Sequence, residues 1–179
     1  NKLFAIQNPE DNLTFTDLEV ETIKTLFNDS EILAKENATE TALKTHAKFP
    51  LANCIHFSCH GKFEPNSPLE SALKLNSEQD TQEDGKLTLA EIFELSLTDC
   101  RLVTLSACET GLVDFNLPSD EYIGLPSGFI YAGSPSVVSS LWTVNDLSTA
   151  FLLIKFYEIL VNKTRQIPVR IALKNAQNW

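Results

Sequence analysis

Two stretches of the chain decide its fold: Cys54-Ile55-His56-Phe57-Ser58-Cys59-His60-Gly61 and Leu102-Val103-Thr104-Leu105-Ser106-Ala107-Cys108. Each is a short apolar run typical of a buried strand, and each runs into a residue capable of chemistry, His60 or Cys108. Strands that alternate with helical patterns predict an α/β domain with a mainly parallel sheet, in which sites gather at the carboxyl ends of the strands. We therefore expect His60 and Cys108 to meet at one edge of that sheet.

The rest of the chain alternates between helical and extended patterns. Residues 1–15 are interpreted as a strand or lead-in, and 31–33 and 136–141 as strands. Helical spacing predicts helices over 16–27, 37–47, 88–95, 126–132, 146–161 and 168–179. Leu18 and Ile23 belong to the apolar pattern of the first helix. Helix caps are predicted at Asn37 or Thr39, at Thr88 with Glu91 in a capping box, and at Asn145.

Length and composition predict one compact domain over residues 1–179. The chain is 43% apolar, which supplies a core for one domain of this size but not for two. It begins at Asn1, contains no Met and stops at Trp179 just after a helical pattern. We expect it to be a piece of a longer multidomain protein.

Charge and cysteine content limit the partners and the cellular compartment that we expect for this chain. The formal net charge is -10 and no cluster of Lys and Arg stands out, which argues against nucleic acid or an anionic membrane as the main partner. No apolar run reaches the ~18 residues that span a bilayer. The four cysteines lack the spacing of a disulfide framework, so reduced thiols in the cytoplasm are expected.

The chemistry of a cysteine nucleophile explains why these two stretches belong together. Such a thiol needs a base to take its proton and N–H donors to stabilise the oxyanion of the tetrahedral intermediate. His60 is the candidate base for Cys108. The N–H groups of Gly61 and Cys108 are the candidate oxyanion donors, and the small residues Ser106 and Ala107 leave the strand end uncrowded.

These motifs resemble the caspase-like cysteine peptidases, whose His lies about 50 residues before the catalytic Cys. In this chain the separation is 48 residues. The likeness is closer to the CHAT domains, a branch often fused to tetratricopeptide repeats. The blocks that carry it cover nearly the whole chain in order: 55–61, 85–92, 105–111, 121–125 and 136–146. The last block also resembles the separases, which share the fold.

The resemblance implies a caspase-like three-layer sandwich and a His60/Cys108 dyad that needs no metal or cofactor. It implies hydrolysis of a protein or peptide through an acyl-enzyme thioester, under the control of adjacent repeat domains or a partner. The sequence departs from the caspases at Glu109-Thr110, which stands where they have Arg, Gln or Gly. A preference for cutting after Asp is therefore not expected.

Substrate preference is predicted from acids near the candidate site. Asp146 follows Ser140-Leu141-Trp142 as in the separases, which cut after arginine, and a carboxylate there would bind a basic P1 side chain. Trp142 would form an apolar wall for the stem of that side chain. Asp146 also has a purely structural interpretation, because an acid in the first turn of a helix complements the helix dipole. Glu109 is a further candidate substrate contact, although a carboxylate beside Cys108 disfavours the thiolate.

Other reactive residues have structural interpretations. His56 is expected to be a core histidine with hydrogen-bond partners, and Cys59 and Cys100 to be buried thiols. A zinc site that combines Cys54, His56, Cys59 and His60 is disfavoured, because a strand directs Cys59 to the opposite face. His46 is expected at a helix end. The acidic segment 76–84 is expected to be a solvated loop, with regulation by cleavage as the alternative.

A rival hypothesis from another class is a catalytically silent module that keeps the fold for signalling or scaffolding. A third, a different thiol hydrolase such as a glutaminase, has no motif to support it. Indifference of every function to Cys108→Ala and His60→Ala would favour the silent module.

Overall fold

A parallel sheet forms the centre of the molecule, and helices cover both of its faces. The structure, a computed structural model, describes residues 1–77, 84–107, 123–142, 144–162 and 167–179. The strands in chain order are β1 Lys2–Gln7, β2 Asp29–Ala34, β3 Cys54–Ser58, β4 Gly61–Lys62, β5 Ala72–Lys74, β6 Lys86–Thr88, β7 Leu102–Ser106 and β8 Val137–Ser139. The central sheet has five strands in the order β2-β1-β3-β7-β8, and every neighbouring pair is parallel.

The helices in chain order are α1 Thr16–Lys24, α2 Glu40–Thr45, α3 Leu89–Ile92, α4 Leu125–Tyr131, α5 Asp146–Leu160 and α6 Val169–Gln177. Short 3-10 turns occupy Lys35–Asn37 and Pro68–Glu70. The predicted α/β class with a mainly parallel sheet is confirmed. Helices alternate with the strands of the central sheet and supply the crossover connections that parallel strands need.

Two apolar clusters pack against opposite faces of the sheet, because successive side chains of a strand alternate between faces. The face covered by α2, α3 and α4 buries Phe4, Ile6, Ile55, Phe57, Val103 and Leu105. The face covered by α1, α5 and α6 buries Leu3, Ala5, Cys54 and Leu102. Each large apolar side chain that is fully buried contributes about 1.5–3 kcal/mol relative to exposure. The result is the three-layer arrangement that the resemblance implied.

A small antiparallel sheet, in the order β4-β5-β6, lies directly after β3 in the chain and was not predicted. Its strands are two or three residues long, too short to show an alternating pattern. It nevertheless matters for the site, because β4 begins at Gly61.

Local capping signals were predicted correctly. The Thr39 side chain accepts a hydrogen bond from the Ala42 N–H, and the Asn145 side chain accepts one from the Ser148 N–H. Thr88 and Glu91 form both halves of the predicted capping box. These signals act over three residues, so the chain specifies them without help from the tertiary structure.

The prediction for the first helix was wrong about Leu18. This residue is 49% exposed, whereas Glu19 beside it is only 1% exposed. The buried stripe of α1 includes Val20 and Ile23, and Glu19 shares it because its carboxylate has partners in the sheet. A hydrophobicity pattern assigns a carboxylate to solvent and cannot detect partners that are distant in sequence.

Element ends also differ from the predictions. The structure ends α1 at Lys24, ends α3 at Ile92, and limits β8 to Val137–Ser139. Leu141 and Trp142 lie beyond β8 and are exposed. End positions depend on fraying and local turns, so a difference of a few residues is ordinary.

Candidate active site

The carboxyl edge of the central sheet brings the candidate site together. Ser58 at the end of β3 and Ser106 at the end of β7 are register partners in the parallel ladder. His60 follows Ser58 by two residues, and Ala107 is the last described residue before the gap. Cys108 and Glu109 lie outside the described residues. The structure therefore describes the frame on both sides of the predicted dyad and the base itself.

Backbone pairing holds His60 and Gly61 between the two sheets. The His60 carbonyl accepts a hydrogen bond of 2.8 Å from the Lys74 N–H of β5. Gly61 pairs with Leu73 in the antiparallel ladder, where hydrogen-bonded and non-hydrogen-bonded pairs alternate. Because His60 and Lys74 form a hydrogen-bonded pair, Gly61 and Leu73 form a non-hydrogen-bonded one. The Gly61 N–H consequently points away from β5. That direction keeps this donor out of the small sheet, as the predicted oxyanion role requires.

The His60 ring is oriented by a residue that the sequence analysis missed. Its Nε2 atom lies 2.8 Å from the Asn12 side-chain oxygen. An amide oxygen only accepts, so in the neutral ring Nε2 donates its proton to Asn12 and Nδ1 keeps the lone pair. The Glu10 carboxylate lies 4.0 Å from the same Nε2 atom, and the His60 side chain is 37% exposed. The ring is thus oriented as a base while remaining accessible at the edge.

The loop after β1 holds Asn12 in place through Asn8. The Asn8 side-chain oxygen accepts hydrogen bonds of 3.1 Å from the N–H groups of Asn12 and Leu13, and its amide donates to the Leu13 carbonyl. The Asn8 N–H donates to the Ser58 carbonyl at 2.9 Å. Asn8 has a φ of 47°, a left-handed conformation that Asn tolerates better than most residues. The available sequence signal was Asn8-Pro9, a turn directly after a strand.

The segment after β8 places Trp142 and Asp146 at the same edge of the sheet. Trp142 is 68% exposed. Asp146 lies in the first turn of α5, and its carboxylate accepts a hydrogen bond of 3.0 Å from the Phe15 N–H. Asp146 therefore lies at a helix start, as its structural interpretation requires, and its contact with a P1 side chain stays a prediction. Its carboxylate also joins the start of α5 to the start of α1.

A buried polar network lies beneath this edge, on the α1–α5 face of the sheet. The Glu19 carboxylate accepts from His56 Nε2 at 2.7 Å and from the Ser106 hydroxyl at 3.1 Å. The Tyr157 hydroxyl lies 3.5 Å from His56 Nδ1 and donates to the Thr104 hydroxyl at 2.9 Å. His56 is fully buried, so its predicted role as a core histidine with partners is confirmed.

The three described thiols are core residues. Cys54, Cys59 and Cys100 are all buried and free. Burial raises the pKa of Cys54 to about 11 and raises the pKa values of the Cys59 and Cys100 thiols as well. These thiols stay protonated at neutral pH, which makes them poor nucleophiles. The structural interpretation of Cys59 and Cys100 is confirmed.

In the described ranges, no group of three His, Cys, Asp or Glu side chains is arranged to hold a metal ion. Cys54 and Cys59 pack in the clusters on opposite faces of the sheet, as expected for residues at odd spacing along a strand. Among the helices of the same ranges, none has the length and apolar character needed to cross a bilayer.

Comparisons with known proteins agree with this architecture. The CHAT domain family matches residues 3–179. A solved structure, described as the Arg specific cysteine proteinase gingipain R, superposes with a TM-score of 0.61 at 12% identity. The alignment covers 89% of this chain and 36% of that proteinase, so this chain corresponds to about a third of it. No curated protein matches the sequence.

At such low identity, the structural likeness concerns the fold alone: a caspase-like arrangement of a parallel sheet between helical layers. The family match extends over nearly every residue, including both stretches from which the fold was predicted. The chain therefore belongs to the CHAT domain family.

Proposed function

We propose that this chain is a cysteine endopeptidase in which His60 is the general base and Cys108 the nucleophile. The observation that carries the proposal is the His60 ring at the end of β3, oriented by Asn12. It lies beside the end of β7, the strand that leads into Cys108. Membership of a family with a caspase-like fold supports the same assignment.

The chemistry follows from the orientation of the His60 ring. Nδ1 takes the thiol proton, and the thiolate attacks the carbonyl carbon of the scissile peptide bond. The N–H groups of Gly61 and Cys108 donate to the resulting oxyanion. The imidazolium then gives its proton to the leaving amine as the C–N bond breaks, which leaves a thioester on Cys108. His60 next activates a water molecule that hydrolyses the thioester and restores the thiol.

The hydrogen bond to Asn12 supports both steps. It holds the ring in one orientation, and the Asn12 oxygen continues to accept from Nε2–H when the ring becomes an imidazolium. Glu10, 4.0 Å from the same nitrogen, stabilises the positive charge further. The His60 side chain is partly exposed, so solvent weakens its attraction to Glu10, but the same exposure allows substrate to reach the ring.

We further propose that the P1 residue of the substrate is basic. Glu10 beside His60 and the net charge of -10 favour a cationic segment of substrate at this edge. Asp146 and Trp142 follow β8, the neighbour of β7, and are candidates for the P1 contacts, together with Glu109. The gingipain with the similar fold is described as Arg specific, which is the same class of P1 side chain.

The remaining features of the proposal concern setting and control. We place the peptidase in the cytoplasm, with reduced thiols, acting on a protein or peptide and not on nucleic acid or a membrane. Adjacent repeat domains or a partner would regulate it. The three buried free thiols and the acidic charge support this setting.

The test compares the wild-type chain with Cys108→Ala on a diverse peptide library, reading new N-termini by mass spectrometry. We expect cuts only with the wild type, predominantly after Arg or Lys. The Asp146→Asn variant then tests the P1 assignment, because loss of the carboxylate should raise KM for basic P1 residues more than for others.

A peptide acyloxymethyl ketone with Arg at P1 provides a second reading, since it alkylates an active-site thiol without requiring turnover. Labelling of Cys108 that depends on His60 supports a competent dyad. If neither cleavage nor labelling occurs, in the chain or in the longer protein with its partners, the peptidase proposal fails and a silent signalling module is favoured.

A further inference from the structure

Glu19 is a carboxylate in the core, and such groups are rarely buried unless both oxygens have partners. Its side chain is 1% exposed and faces the sheet from the first turn of α1. One oxygen accepts from His56 at 2.7 Å, and the other accepts from Ser106 at 3.1 Å. Both partners belong to the sheet, so Glu19 links α1 to β3 and to the end of β7.

The other end of the network lies deeper on the same face. His56 Nδ1 lies 3.5 Å from the Tyr157 hydroxyl, which donates to Thr104. Thr104 and Ser106 are on the same strand, two residues apart, with their side chains toward the same face. The network therefore has two hydroxyl ends on β7, one inside the strand and one at its exit.

A carboxylate buried among polar partners is weak evidence for stability. Apolar residues of similar volume in the same place are often as stable or more so, because removing charges from water costs several kcal/mol per ion. Polar interactions have one property that apolar contacts lack: they fix direction, since a hydrogen bond requires a defined geometry. Because Ser106 lies at the end of β7, its hydrogen bond fixes the direction of the chain as it leaves that strand.

Ser106 is the last residue of β7, and Ala107 after it is held from the other side. The Ala107 carbonyl accepts a hydrogen bond from the Ser140 hydroxyl, which follows β8. The chain thus leaves β7 between a hydrogen bond to α1 and a hydrogen bond to the segment beyond β8. The next residue in the sequence is Cys108.

We propose that Glu19 and His56 are positioning residues for Cys108, acting through the Ser106 hydroxyl; this inference rests on the function proposed above. His56 holds the Glu19 carboxylate, Glu19 holds Ser106, and Ser106 fixes the end of β7, the strand that leads into Cys108. A misplacement of about 1 Å in a reacting group costs about 100-fold in rate, so a single hydrogen bond at the strand exit has a measurable effect.

The test deletes one hydroxyl from each end of the network. Ser106→Ala removes the bond at the exit, and Thr104→Val removes the bond inside the strand while keeping the side-chain shape. The readouts are kcat and KM on a cleaved peptide, thermal unfolding, and the rate at which iodoacetamide alkylates Cys108 across pH 6–9. The buried thiols Cys54, Cys59 and Cys100 react slowly, and Cys108→Ala supplies the background.

We expect Ser106→Ala to lower kcat and the alkylation rate about tenfold, with KM unchanged, since the interaction acts on the reacting thiol and not on substrate binding. Thr104→Val should match the wild type in both rates. Glu19→Leu should resemble Ser106→Ala in these rates, and combining the two should give little further loss, because both remove the hydrogen bond between Ser106 and Glu19. A merely structural role would change unfolding without this split between kcat and KM.

The outcomes separate this inference from the proposed function. If the wild type cleaves nothing, yet Ser106→Ala alone slows alkylation of Cys108, the positioning stands and the peptidase fails. If cleavage depends on Cys108 but Ser106→Ala keeps the wild-type rates, the positioning is overturned. It is also overturned if Thr104→Val slows alkylation as much as Ser106→Ala does.

Discussion

His56 and His60 come from the same strand and its exit, and they occupy opposite environments. His56 is fully buried on the α1–α5 face, with Glu19 on one ring nitrogen and Tyr157 near the other. His60 is 37% exposed, with Asn12 on Nε2. Both rings bond to an acceptor through Nε2, at 2.7 and 2.8 Å. The two histidines therefore differ not in the partner of Nε2 but in the exposure of the ring to solvent.

The comparison shows how one residue type serves two purposes. An enclosed polar ring must have its partners, so its loss damages the core. A ring at the sheet edge contributes little to the core and stays accessible, as the proposed reaction requires. We therefore expect the loss of His60 to act mainly on activity and the loss of His56 to act mainly on stability.

The largest expected effect is on activity at the edge. His60→Ala should lower kcat about a thousandfold, since general base catalysis contributes about 10²–10⁴ in rate. The free energy of unfolding should change by less than about 1 kcal/mol, because the ring is partly exposed. Steady-state kinetics and urea unfolding check the two halves. A loss of kcat below tenfold would break the contrast with His56.

The next effect is on stability in the core. His56→Ala should lower the free energy of unfolding by about 3–5 kcal/mol, because it leaves the Glu19 carboxylate buried without this partner. Tyr157→Phe is the milder control and should cost about 1 kcal/mol. The double variant Glu19→Leu/His56→Leu should recover at least half of the loss, since it removes the buried carboxylate together with its partner. Urea denaturation measures all three, and a His56→Ala protein as stable as the wild type would contradict the prediction.

A third prediction tests whether the α1–α5 face tolerates a charge without a partner. Cys54 lies in the apolar cluster of that face, and burial raises the pKa of its thiol from 9.0 to about 11. Between these values the unfolded chain loses the proton first, so stability falls as the pH rises from 9 to 11. Two pKa units correspond to at most about 2.7 kcal/mol.

The measurement is urea unfolding at pH 8, 9.5 and 11 for the wild type and for Cys54→Ala. Subtracting the two removes the contribution of lysines and tyrosines. We expect the advantage of the wild type over the variant to shrink as the pH rises. A constant difference would mean that Cys54 ionises at its ordinary pKa in the folded protein.

The smallest effect concerns the partner of His60. Asn12→Ala should lower kcat about tenfold with little change in KM, because it removes the acceptor that orients the ring but no contact with substrate. Asn12→Asp keeps an oxygen acceptor and should restore most of the rate. Steady-state kinetics on one peptide, with unfolding as a control, decide the matter. Equal rates for Asn12→Ala and the wild type would show that the hydrogen bond from His60 to Asn12 is not needed for activity.

The parts of the fold that could be predicted are those encoded over a few residues. Thr39, Thr88 and Asn145 cap helices as expected, because a cap depends on neighbours three residues away. The apolar runs of β3 and β7 identified the two central strands. The family resemblance supplied the roles of His60 and Cys108, whose chemistry stays a prediction.

The tertiary structure decided which distant residues those two strands would meet. Asn12 contacts His60 across 48 residues, and Glu19 contacts Ser106 across 87. No local pattern marks either pair, and hydrophobicity placed Leu18 in the buried pattern of α1, where Glu19 lies. A side chain's tendency to be buried is a property of the residue, whereas a hydrogen-bond partner is a property of the packing. The sequence by itself determined the apolar strands β3 and β7 and the helix caps, because these signals are local; only the folded chain decided how the two histidines are held, because their partners are distant in sequence.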